Sequence, residues 1–334
     1  MRGGIIFSMY GLVMNEALKI LQRKRLWVVV LILLVLVPIF TYAQLRATLD
    51  NQKQLGTTDW RVSVRQSIND TTNRLSSTRI PEDWKKLMRI RIQQQQYYLD
   101  HDINPTSPNG VTFTRDFMSN AVSLFIPLLI VIIASDIVSG EHASGTIKLL
   151  LTRPVKRWKV LTSKLIALFL FVSAIVVLTG MIAYAISGVV FGYTGWTYPV
   201  LTGFQIQGEE VNTEGVRVLP QWLYITMEYG LSWYACLAVA CISFMVSVLV
   251  RSTAAGMGVM VSALIAGTIL TNMASAWESA KYFFMVNLQL TDYLVGTPPP
   301  IPGLSLTFSL ATLSIWSVAS LLVAYIVFIR RDVY

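Results

Sequence analysis

Long uncharged apolar runs alternate with hydrophilic segments along this chain. Residues 26–43, 117–135, 165–187, 222–250, 252–274 and 304–329 are each about long enough to cross a hydrocarbon core as a helix. Five of these runs contain no Asp, Glu, Lys or Arg, and the run 222–250 contains only Glu228. The pattern predicts an all-α polytopic membrane protein with six transmembrane helices. Ahead of the first span, residues 1–25 place Ser8, Asn15, Lys19 and Gln22 on one helical face, with Phe7, Leu12, Val13, Leu18, Ile20 and Leu21 mostly on the others. That arrangement predicts an amphipathic elbow helix lying in the interface.

The hydrophilic segments differ in character. Residues 44–116 hold eleven basic and eight acidic residues. Two helices are expected there, Trp60–Leu75 and Pro81–Leu99, the second opened by Pro81 with Glu82 and Asp83 near its N-terminus, and Asn104, Pro105, Pro108, Asn109 and Gly110 form a loop after it. Residues 188–221 are rich in Gly and carry Glu209, Glu210 and Glu214, with a strand pair expected around 208–215. Residues 275–303 include the stiff run Pro298, Pro299, Pro300, Ile301 and Pro302. A tail of 330–334 ends the chain.

Charge orients the spans. The segment 136–164 carries Lys148, Arg153, Lys156, Arg157, Lys159 and Lys164, and basic residues in short loops accumulate on the cytoplasmic side. This loop, both termini and Arg251 are therefore expected inside, and 44–116, 188–221 and 275–303 outside. The short outer loops carry only Arg217 and Lys281, while the basic residues of 44–116 lie in a long loop, to which the rule does not extend. A composition of 54% hydrophobic and 13% charged residues, with a mean hydropathy of +0.56, agrees with a membrane chain. The net charge of +9 is accounted for by these span ends, so no nucleic-acid partner is expected, and membrane lipid is the ordinary surrounding. The stretch before the first span is too long and polar for a cleavable signal peptide.

The candidate chemistry is sparse. Cys236 and Cys241 lie five apart in one apolar run, on different helical faces, and read as packing residues; His101 and His142 are far from each other, so no metal site is expected. The chain has no Gly-Lys pair and hence no nucleotide-binding loop of the G-x-x-x-x-G-K-[ST] type. It is expected to be no enzyme itself. Glu228, about two turns into its run, is either a contact for something crossing the membrane or a carboxylate reaching lipid headgroups. Asp136 and Glu141 are expected to pair with basic residues of their own loop. Gly256, Gly258, Ala263, Gly267 and Thr268 allow close helix approach, within one subunit or between two. In the loop itself Gly140 and Gly145 loosen the chain, Thr146 caps, and Ile147, Leu150 and Leu151 share one face of a short helix that Pro154 ends. Such a face wants a partner; the alternative is a basic loop touching anionic lipid.

Ser139, Gly140, Glu141, Gly145, Thr146, Leu149, Leu150, Leu151, Pro154, Val155, Arg157 and Lys164 together resemble the signature loop of the ABC-2 family of ABC-transporter permeases. The elbow-then-span start and the ending Phe328, Ile329, Arg330, Arg331, Asp332 and Val333 are similar to that family as well. The resemblance implies that the short helix is a coupling helix, with Glu141, Gly145, Thr146, Ile147, Leu150, Leu151, Pro154 and Arg157 forming the contact with a separate cytoplasmic ATPase subunit that binds ATP and Mg. It also implies a second permease subunit, identical or related, a bacterial plasma-membrane location, and export of an amphipathic compound such as a drug, an antimicrobial peptide or a lipid. The other function class is a non-transporting membrane sensor or assembly factor whose outer domain binds a peptide or an envelope component.

Overall fold

The computed structural model describes residues 9–105, 107–146, 155–207, 210–273 and 277–330. Helix α1 (Met9–Gln22) meets α2 (Arg25–Leu55) at Lys24, whose φ of 57° turns the chain in the left-handed region. For a residue with a Cβ that conformation costs about 1 kcal/mol. The turn frees α1 from the axis of α2. α2 spans 31 residues, about 46 Å of helix against a hydrocarbon core of about 30 Å. It therefore runs twelve residues past the predicted end at Ala43, and Gly56, at φ 63°, stops it.

Two helices follow, α3 (Trp60–Leu75) and α4 (Glu82–Asp100), packed as a hairpin. Asp59 caps α3 by accepting the Arg61 amide at 3.0 Å, and Arg61 reaches across to pair with Asp102 at the base of the hairpin. The next predicted span, 117–135, is not one straight helix. α5 (Gly110–Ala121), capped by Asn109 accepting the Thr112 amide at 2.8 Å, is followed by α6 (Phe125–Ala134) at a bend of 64°. The membrane-length element thus begins seven residues before Phe117 and carries Arg115 and Asp116. The helix extends upstream because Asn109 accepts the Thr112 amide, because the Gly192 carbonyl accepts the Gly110 amide, and because α5 buries Val111, Thr112, Phe113 and Thr114.

After α7 (Ser139–Ala143) come α8 (Arg157–Phe191), α9 (Gln221–Leu249), α10 (Thr253–Met273) and α12 (Leu306–Arg330). Between α10 and α12 lie 3-10 turns at Glu278–Tyr282 and Phe284–Asn287 and the short α11 (Asp292–Val295). Among the described residues five helices are long and apolar enough to cross a membrane, six if the bent pair α5–α6 counts as one span. The protein is a mainly helical, multi-pass membrane protein. α9 is its central post, packed against α5, α6, α8, α10 and α12 and the most enclosed of the five. Cys236 and Cys241 sit buried and unbridged on it.

Two short strand pairs lie outside the spans. β1 (Pro199–Thr202) pairs antiparallel with β4 (Arg217–Pro220), and β2 (Gln205–Gln207) with β3 (Glu210–Asn212). The hydrophilic segments after α2, α8 and α10 converge at one end of the bundle. There Ile103, Leu201 and Phe204 share a small core with Tyr97, Tyr98, Val211 and Val216, and Gln94 donates to the Gly296 carbonyl at 3.0 Å. We call this the distal end. The α1 helix, the 135–146 turn, the start of α8 and the α9–α10 turn gather at the opposite, basal end.

The glycines of α10 resolve one of the alternatives. A Cβ at Gly256 would contact Val246 and Ser135, and one at Gly267 would press on Met285, so both pack within the chain. Gly258 faces outward with nothing within 4 Å.

Candidate functional site

Four buried or half-buried charges close a ring at the basal end. Glu16 and Lys19, one turn apart on α1, face Glu141 of α7 and Lys164 of α8. Lys164 Nζ lies 2.7 Å from Glu16 Oε2 and 2.7 Å from Glu141 Oε1; Lys19 Nζ lies 2.8 Å from Glu16 Oε1 and 3.0 Å from Glu141 Oε1. Lys164 is 1% exposed and the two glutamates 4% each. Lys164 also donates to the Ile137 carbonyl at 3.3 Å. Burial pushes the Glu141 carboxyl up, but the Lys164 and Lys19 ammonium groups outweigh it and hold the carboxyl below its ordinary range. Burial likewise works against the charge on Lys19, and Glu16 and Glu141 more than offset it.

A second node stands beside the ring. Asp136 pairs with Arg23 and with Arg25, whose Nη2 is 2.9 Å away. Thr253 Oγ1, at the start of α10, donates to Asp136 Oδ1 at 3.0 Å. Arg25 also donates to the Ile132 carbonyl at 2.6 Å, on the last turn of α6. Ser247 of α9 accepts the Val138 and Ser139 amides at 3.1 and 3.0 Å and donates to the Ser135 carbonyl at 3.0 Å. Gly140 does not loosen this segment: it is helical, and a Cβ there would collide with the Asp136 carboxyl and the Arg23 guanidinium. Its bare backbone is what lets the Asp136 and Arg23 side chains meet over it.

These two nodes tie α1, α2, α6, α7, α8, α9 and α10 together at the place where the basic loop leaves and re-enters the bundle. Of the residues singled out in sequence, Glu141 lies inside the ring. Gly145, at φ 69°, follows α7, and Thr146 Oγ1 stands 2.9 Å from Ser144 Oγ. Arg157 opens α8 and donates to the Ile329 carbonyl at 3.1 Å, joining the ends of α8 and α12. Ile147, Leu150, Leu151 and Pro154 lie outside the described residues. Asp136 departs from expectation, because its cations come from the start of the chain rather than from its own loop. Glu141 pairs within its segment through Lys164 and outside it through Lys19.

Glu16, Lys19, Arg23 and Arg25 were not read as site residues. One signal was available: Glu16 is the only acidic residue before Asp50, on a helix that is otherwise basic. At the distal half, Glu228 is 1% exposed, and its buried Oε2 has no hydrogen-bond partner among the described residues. The Arg115 guanidinium is the opposite charge that acts on it. Arg115 itself is bound to Asp116, its Nε 2.9 Å from Asp116 Oδ1. The open cavity nearby is lined by Asp116 and not by Glu228.

Over 331 residues the chain is 28% identical to the uncharacterized protein YhcI of Bacillus subtilis strain 168, an alignment covering 97% of this chain and 99% of that protein. It is 28% identical over 215 residues to the uncharacterized membrane protein YdbK of the same organism, covering 64% of this chain and 80% of that one. Residues 86–334, from the second turn of α4 onward, match the family described as a protein of unknown function, DUF2705. With three quarters of its length matched and the whole of the spanning bundle after α2 included, the chain belongs to the DUF2705 family.

Proposed function

We propose that this protein is the permease subunit of an ATP-driven exporter, working with a separate ATPase. In this reading the basal end is cytoplasmic, with both chain termini inside and the distal end outside the plasma membrane. The 147–154 stretch docks on the ATPase. Two such subunits, identical or related, enclose the path of an amphipathic compound.

The observation that carries the proposal is the double ion-pair node at the base of the basic loop. A loop that only touched lipid would gain nothing from burying three charges and half-burying a fourth beside its root, since desolvating them offsets most of their attraction. A loop that must pass a displacement to the spans needs a stiff root. Glu141 and Lys164 at the two flanks of the loop, locked to α1 through Glu16 and Lys19, supply one. Asp136 extends it to α2 and α10. The exposed apolar face of α1, Tyr10, Met14, Leu18 and Leu21, suits a helix lying in the inner interface.

The test is affinity purification of the full chain from its native membranes. A stoichiometric ATPase whose turnover changes on reconstitution with the permease supports the reading. A stable complex without any ATPase supports the sensor or assembly role instead.

A further inference from the structure

A cavity of about 500 Å³ lies between α2 and α5 toward the distal end. Pockets that hold small molecules fall in this size range. From α2, Leu36, Phe40 and Gln44 enter it at i, i+4 and i+8, one face of the helix. From α5 come two parallel stripes: Phe113 and Phe117, and the polar Asn109, Thr112, Asp116 and Asn120. The apolar wall is continuous. Phe117 meets Phe40 at 5.9 Å between ring centroids and Phe113 at 6.0 Å; Phe125 and Phe191 extend it at 6.5 and 6.3 Å.

Asp116 is the single ionisable residue among those that line the cavity. Arg115, its salt-bridge partner, is not part of the lining, and both of its contacts fall on Asp116 Oδ1, at 2.8 and 2.9 Å. Oδ2 carries neither contact. The cavity thus offers aromatic faces and one carboxylate with the balancing cation held to the side. Aromatic faces attract cations through the ring quadrupole, and a carboxylate adds direct charge attraction. A phosphate or sulfate head would meet repulsion from the same two features.

We propose that this cavity binds a cationic amphiphile, a quaternary onium or protonated amine on an alkyl or aryl body. The ammonium lies against Asp116, and the body lies along Phe40, Phe113, Phe117 and Phe125. The biological meaning as an exported substrate rests on the permease reading, but binding itself requires only the cavity.

The full chain, reconstituted without any ATPase in phosphatidylcholine nanodiscs, is titrated with radiolabelled tetraphenylphosphonium. Saturable binding is expected, displaced by dodecyltrimethylammonium and not by dodecyl sulfate. Asp116→Asn and Phe117→Ala should each weaken it by about tenfold or more, with Asp116→Glu retaining it and Gly258→Ala unaffected. Phe117→Leu, which keeps most of the volume and removes the ring, should weaken binding as well, and each variant is accepted only if its melting temperature matches the parent. Absence of saturable binding, insensitivity to Asp116→Asn, or equal displacement by dodecyl sulfate would overturn the proposal in favour of a lipid-tail groove. Cation binding by a chain that recovers no ATPase would leave this site standing and remove the permease reading. ATPase recovery without cation binding would do the reverse.

Discussion

Lys164 is the residue on which the basal ring depends. It is buried between Glu16 and Glu141, and removing one partner of a buried pair leaves uncompensated charge. Lys164→Met should therefore lower stability by about 3–5 kcal/mol. Adding Glu141→Gln should recover part of the loss, so that the double variant is more stable than the sum of the single effects predicts. Denaturant unfolding of the detergent-purified protein measures both. Simple additivity would show that the ring is not energetically coupled. Gly140 makes a second residue-scale claim: Gly140→Ala forces the Asp136 carboxyl and Arg23 apart and should cost about 1–3 kcal/mol. Gly258→Ala on the open face of α10 should be neutral or gain up to about 1 kcal/mol, because helix propensity is then the only change. A cost at Gly258 as large as at Gly140 would place a neighbour against that face.

At the scale of single elements, the segment between α10 and α12 contains a titrating group. Burial pushes the Asp292 carboxyl of α11 from an ordinary value near 3.8 up to about 6. Because the folded value is the higher one, the stabilisation is complete below about pH 3.8 and is lost as pH rises through about 6. Asp292→Asn should therefore stabilise this segment at about pH 7.5, by at most about 3 kcal/mol, and change little near pH 4. Hydrogen exchange of the 284–297 backbone, corrected for the intrinsic rate, reads it directly; a benefit confined to acid pH would reverse the sign and refute the assignment. Elements such as α4 were legible in sequence because their signals are local: Pro81, Glu82 and Asp83 sit where the helix begins. The bend between α5 and α6 was missed because residues 117–135 read as one apolar run, although Pro127, in the first turn of α6, lacks an amide and crowds the carbonyl four residues back, a local signal for a break. The basal ring escaped for a different reason. Glu16 and Lys164 are separated by 148 residues, and helical periodicity carries no information about partners that far apart. What sequence did single out was the basic segment, through its charge, and Glu141 at its root.

For the molecule as a whole, three hydrophilic segments predicted for one side of the membrane do converge, at the distal end, in contacts such as Gln94 with Gly296 and Thr202 with Leu294. Their common orientation can be read chemically. In a Cys236→Ser, Cys241→Ser background, which removes only buried unbridged thiols, Lys85→Cys should react with an impermeant maleimide applied to intact cells. Lys148→Cys should not. The opposite labelling would invert the orientation.

In the proposed reading the basic loop docks a separate ATPase through an apolar face. The most direct measurement is the amount of ATPase recovered with purified Leu150→Asp, compared with Lys148→Asp on the other side of the predicted helix. A charge placed in an apolar contact costs at least about 3 kcal/mol, a loss of affinity on the order of 100-fold. Membrane insertion should be preserved, since every apolar run is intact. Leu150→Asp should accumulate normally and recover almost no ATPase, while Lys148→Asp recovers nearly the parental amount. Undiminished recovery by Leu150→Asp with loss in Lys148→Asp would contradict the account, making the contact electrostatic.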